Sequence, residues 1–197
     1  MDGAGARTRA VRLASALRRS RTRAVLRRLA GDLTTALRMR PGPLTDVRTA
    51  CRVLCEEMSS RRGGRPVVLR FERFPDEIEV TGLWVEFQDF DLVIVEERAE
   101  AMQQLVILGH ELWHMYAGHR HHAPTAAEQV LTDGLPDWDA ALAMAARDGS
   151  READEAEADE FGHRMAAAVR ALLDDRDAEA GPLQRALGYR GRRGTHR

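Results

Sequence analysis

The sequence contains no lysine; all 30 of its basic residues are arginine. With so much alanine beside them, this reads as the coding bias of a GC-rich bacterial genome rather than as a property of a site. Cysteine is nearly absent too, with only Cys51 and Cys55 present. A disulfide framework is not indicated at that number, and a reducing compartment fits. Four apart on a helical stretch, the two share one face and read as small buried apolar residues. Aromatics make up only 5% of the chain. No apolar run approaches the roughly 20 residues of a membrane span. The N-terminus is rich in arginine and poor in acid, yet lacks the apolar core of a secretory signal. These absences predict a cytoplasmic protein with no membrane contact.

What is present suits an ordinary globular chain. At 197 residues, with 44% hydrophobic and 31% charged content, it is long enough for one domain with a real core and a tail or two. The net charge of −1 selects no class of partner. Its distribution is uneven: residues 1–40 carry eleven arginines against Asp2 and Asp32, and residues 133–179 carry fourteen acids against five arginines. The end of the chain is basic again. We therefore divide the chain into a basic N-terminal helical extension (1–40), a domain carrying the chemistry (41–180) and a basic C-terminal tail (181–197). The arginines of residues 7–40 surround their helix instead of lining one face. This weighs against direct nucleic-acid binding there, which stays open as a third reading.

The periodicity predicts an α+β fold. Leu26, Leu29, Leu33 and Leu37 recur at helical steps within a helix over 11–38. Pro41-Gly42-Pro43 breaks it, and a second helix follows over 44–58. The period then becomes two. Strands are expected at 67–71, 77–87 and 91–96, joined by short turns, which implies a small antiparallel three-stranded meander. A helix over 99–117 follows, stopped by Gly118. Residues 119–136 read as loop, 137–147 as a short helix, and 151–174 as a long helix capped by Ser150.

The decisive segment is His110-Glu111-Leu112-Trp113-His114, an H-E-x-x-H pattern. Two histidines four apart on a helix project side by side, close enough to share one tetrahedral zinc. Glu111 stands next to the first of them, within reach of a water that the metal activates. Leu105, Leu108, Leu112 and Met115 or Tyr116 form an apolar stripe nearly opposite the histidines, and Val106, Ile107 and Trp113 flank them. A helix apolar on almost every side is buried on two sides. One side is expected on the sheet, the other against a second helix across the metal.

A third ligand must come from elsewhere. His119 is out of register with the H-E-x-x-H-x-x-G-x-x-H pattern and reads as a loop residue past the helix end. His121 and His122 read as a solvated cluster, or alternatively as residues lining the cleft. The acidic helix over 151–174 offers carboxylates instead. Periodicity alone leaves Asp154, Glu155 and Glu157 open. Only Glu155 has an acid one turn later, Asp159, on a line that continues into the small residues Gly162 and Ala166. Small residues let two helices approach closely, which would bring Glu155 to the zinc. Asp159 could then accept the free N–H of a ligand histidine. Tyr116, His163 and the loop histidines are weak candidates for stabilising an oxyanion.

The segment His110-Glu111-Leu112-Trp113-His114-Met115-Tyr116-Ala117-Gly118-His119 resembles the H-E-L-x-H-x-x-x-G-H segment of ImmA/IrrE-type metallopeptidases. Glu155-Ala156-Glu157-Ala158-Asp159-Glu160-Phe161-Gly162 resembles the E-x-E-A-[ND]-x-F-A segment of that family, with Gly162 in place of the last Ala. The resemblance spans about residues 65–170 and makes 41–180 a metallopeptidase-like domain. It implies His110, His114 and Glu155 as ligands of one Zn2+ and Glu111 as the catalytic residue. It further implies a protein substrate or partner, such as a helix-turn-helix repressor or antitoxin. An alternative expectation is a toxin–antitoxin-like interaction protein that keeps the fold and zinc but acts by binding. A substrate peptide is expected to add to the sheet edge near 92–95.

Overall fold

A computed structural model describes the backbone of residues 3–42, 44–76, 80–119 and 152–186, and the side chains of 16–18, 20–42, 44–76, 80–119 and 154–175. The expected short helix at 137–147, the Ser150 cap, His121, His122 and the end of the tail from 187 lie outside the described residues.

Among the described residues, four helices and a three-stranded sheet make an α+β fold. Helix α1 (Gly3–Met39) leads to α2 (Val47–Arg61), which starts where the Asp46 carboxylate accepts the Thr49 N–H. Strands β1 (Val67–Glu72), β2 (Gly82–Glu86) and β3 (Asp91–Glu96) follow, then α3 (Ala101–Ala117) and α4 (Glu152–Ala186). Helix α1 begins earlier than its leucine spacing predicts, and α4 runs past the expected end at 174.

The sheet differs from the expected meander. Its order is β1-β3-β2, with β2 antiparallel and β1 parallel to β3. The cause is visible in β3, all six of whose residues are buried. A strand apolar on both faces gains most at the centre of a sheet, where both of its edges are hydrogen-bonded. The second strand begins at Gly82, after residues 80 and 81 that are not in a strand; residues 77–79 of the expected strand lie outside the described residues. Residues 92–95 therefore form no edge; among the described residues the sheet's edges are β1 and β2.

The sheet separates two apolar clusters. Trp84, Val93 and Val95 point to the helices, where they join Leu105, Leu108 and Leu112 of α3 and Cys51, Leu54, Cys55 and Met58 of α2. Leu83, Val85, Leu92 and Ile94 point to the other face and meet Phe74. This alternation is the two-residue period of the strands. Both cysteines are buried free thiols, as expected of small apolar residues, and burial pushes the Cys51 thiol up to about 12. Leu26, Leu29, Leu33 and Leu37 of α1 are buried in the same helical core, so the later part of the basic helix is built into the fold rather than extending from it. Arg23 and Glu160 pair at 3.7 Å across α1 and α4. Among the described residues, no helix is long and apolar enough to cross a membrane.

The buried carboxylate of Asp91 fastens these layers together. It pairs with Arg62 at the end of α2 at 2.8 Å and with Arg65 at 3.0 Å, and it accepts the Trp84 indole N–H at 3.1 Å. Arg62 also reaches the Met115 carbonyl of α3 at 3.4 Å. One acid thus ties α2, the β2–β3 hairpin and α3.

Candidate metal centre

Helix α3 crosses α4 with almost no space between backbones. A Cβ on Gly109 would stand 2.7 Å from the Gly162 Cα, and one on Gly162 would stand 2.4 Å from the Val106 carbonyl oxygen. Side chains one and two turns before Gly162 on α4 are thereby carried over the histidine face of α3. The residues brought there include Glu155 and Asp159.

The Nε2 atoms of His110 and His114 lie 3.0 Å apart. Glu155 offers one oxygen to each, at 3.1 Å from His110 Nε2 and 3.3 Å from His114 Nε2. For a tetrahedral ion with bonds of about 2.0–2.1 Å, neighbouring ligand atoms stand about 3.3 Å apart. The two nitrogens stand close to that spacing, and with one Glu155 oxygen the three donors all lie within 4.8 Å of one another. Among the described residues this is the one group of three or more such side chains that could hold a metal ion. The donor set suits a divalent cation bound by nitrogen and oxygen.

The far side of each imidazole is also occupied. His110 Nδ1 stands 2.9 Å from Asp159 Oδ1. His114 Nδ1 stands 3.2 Å from His119 Nδ1. Of the carboxylates left open by periodicity, Glu155 alone joins the histidine pair. Asp154 lies 3.8 Å from His119 Nε2 instead, and Glu157 accepts a hydrogen bond from Thr22 of α1.

Glu111 is 7% exposed and sits against the β2 edge. Its carboxylate accepts the Trp84 backbone N–H, while burial and the Glu155 carboxylate push its pKa up to about 8. A cation held by Glu155 and the histidines would oppose that rise by adding positive charge. Gly82 makes the room for Glu111: a Cβ there would stand 2.7 Å from Glu111 Oε1 and 2.5 Å from Ile107 Cγ2. The backbone pairing of Thr81 with Glu96 alternates with residues whose polar groups face outward. Gly82 and Trp84 are in that outward set.

Two weak candidates stand apart from this cluster. Tyr116 is exposed and lies over Trp113, with ring centroids 6.1 Å apart. His163 lines a groove with Met102, Val106 and Arg170. Three features escaped the sequence reading. These are the contact between His119 and His114, the Trp84 N–H on Glu111, and the clearance at Gly82. Gly82 falls among the apolar residues of the strand expected at 77–87, and that was the available signal for the last. No protein-family model, curated protein or solved structure matches this chain.

Proposed function

We propose that the protein is a zinc-dependent endopeptidase of the ImmA/IrrE type, acting in the cytoplasm on a regulatory protein such as a helix-turn-helix repressor or antitoxin. The observation that carries the reading is Glu111. Metal binding alone has no use for a buried carboxylate beside the histidine pair, whereas hydrolysis needs a base there. His110, His114 and Glu155 would hold one Zn2+. When bound, the ion would polarise a peptide carbonyl and acidify a water molecule.

The chain's own residues supply the rest. Glu111 takes a proton from the attacking water on a carboxylate oxygen and returns it to the departing amine nitrogen. The Trp84 N–H and the empty space at Gly82 hold the carboxylate in one place. Asp159 keeps His110 oriented by accepting its Nδ1–H. A substrate peptide would pass beside β2, the sheet edge nearest Glu111, with the Trp84 N–H kept on the Glu111 carboxylate rather than offered to the peptide.

The test measures bound zinc and cleavage of the partner protein for the wild type, His114→Ala and Glu111→Gln. The wild type is expected to bind one zinc per chain and cleave. Glu111→Gln should keep the metal and lose cleavage, and His114→Ala should lose both. Cleavage by Glu111→Gln at the wild-type rate would remove the mechanism. Partner binding without cleavage by either zinc-loaded protein would favour the alternative, an interaction protein built on the same fold.

A further inference from the structure

We infer that His119 is a positioning residue for His114, gripping the ring nitrogen that faces away from Glu155, with Asp154 behind it. This deepens the metal-site reading above and rests on it.

The local fold delivers His119 to that place. Helix α3 ends at Gly118, whose φ of 73° turns the chain back in the left-handed conformation that glycine adopts without strain. The His119 N–H then donates to the His114 carbonyl at 3.0 Å. The turn lays the His119 ring edge-on to the His114 ring, with centroids 5.4 Å apart and planes at 63°. Their Nδ1 atoms meet at 3.2 Å.

Two bare lone pairs repel at that distance, so one nitrogen carries a proton. If His114 binds a metal through Nε2, its proton sits on Nδ1 and is donated to His119 Nδ1. His119 must then keep its own proton on Nε2, which faces Asp154 Oδ1 at 3.8 Å. That is too long for a direct hydrogen bond and short enough for the carboxylate charge to favour this tautomer. Each contact leaves a single neutral tautomer for the next.

The two ligand histidines are therefore supported differently. Asp159, which faces His110, has a side chain 65% exposed. His114 is 1% exposed and is met by an imidazole instead. A carboxylate at that inner position would add a further negative charge beside Glu111 and Glu155. A neutral imidazole accepts the hydrogen bond without adding charge.

The experiment uses the full chain, labelled with 15N-histidine. Zinc affinity is read by competition with a chromophoric chelator, and ring N–H protons are read by NMR in the zinc-loaded protein. The wild type should show a His114 Nδ1–H protected from exchange. His119→Ala should lose that signal and bind zinc about 10- to 100-fold more weakly. The metal-free form of His119→Ala should unfold as the wild type does. His119→Asn sets an amide oxygen near the place of Nδ1 and should restore both signal and affinity. Unchanged affinity and signal in His119→Ala would overturn the inference while leaving the metal site standing. So would failure of the Asn variant to recover either, or destabilisation of metal-free His119→Ala matching its loss of affinity. Should His114→Ala bind zinc as tightly as the wild type, the metal-site reading fails first, and this inference with it.

Discussion

Gly109 and Gly162 meet so closely that a methyl group on the first would stand 2.7 Å from the Cα of the second. Replacing a helical glycine by alanine ordinarily stabilises a helix by about 1 kcal/mol. Here the sign should reverse. In Gly162→Ala the new methyl meets the Val106 carbonyl oxygen, a backbone atom that cannot swing aside. We expect a loss of about 1–3 kcal/mol in urea unfolding. Zinc affinity should fall with it, because parting the helices withdraws Glu155. A Gly162→Ala protein as stable as the wild type would mean the crossing is looser than described.

Gly82→Ala tests the seat of Glu111 separately from the metal. Its Cβ would press on Glu111 Oε1 and on Ile107 Cγ2, neither of which belongs to the three metal-binding side chains. Bound zinc is expected to remain at wild-type levels. Peptide cleavage should drop by about 100-fold, the scale of a misplaced catalytic group. Equal loss of metal and activity would show that the substitution disturbs α3 as a whole.

Much of this site was legible in advance because it depends on helical spacing. His110 and His114 are a turn apart, and Glu155 and Asp159 repeat that interval on α4. One periodicity therefore aims both pairs. The sheet was harder to read. Leu92-Val93-Ile94-Val95 lacks alternation, the mark of a strand covered on both faces, yet short turns around it favoured a simple meander. Pairing direction is a long-range property, which local turn signals do not encode. His119 was hidden for a related reason. A ring beyond a helix end has no periodic address, and only the left-handed turn at Gly118 says that the chain doubles back.

Asp91→Ala should be the most damaging of the single substitutions outside the metal group. It would leave Arg62, Arg65 and the Trp84 indole N–H without their shared acceptor. Removing one partner from a buried ion pair costs about 3–5 kcal/mol. The two arginine side chains are each 23% exposed, so some hydration returns and the lower end is expected. Equilibrium urea unfolding measures it.

Acid should weaken the fold through Glu96. Arg98 donates to its carboxylate, the backbone N–H groups of Arg98 and Phe74 add to this, and its pKa falls from 4.5 to about 2. The folded chain thus holds this proton less readily than the unfolded one. Its contribution is complete above the ordinary value and fades as pH drops toward the lowered one. Because Arg98 is partly exposed, solvent screens the pair and no more than about 1 kcal/mol is expected. Glu96→Gln should flatten the pH dependence of stability in that window, and an unaltered slope would assign the acid loss to other carboxylates.

The parallel seam between β1 and β3 also dictates an order of assembly. A tight turn joins β2 to β3, whereas β1 must wait for a strand made after both the intervening connection and β2. Closing the shorter loop sacrifices less chain entropy, so the hairpin forms first and offers β1 the one partner it has among the described residues. With β3 still unmade, neither β1 nor β2 has the neighbour it pairs with among the described residues. Until then, the later HExxH helix has no floor on which to settle.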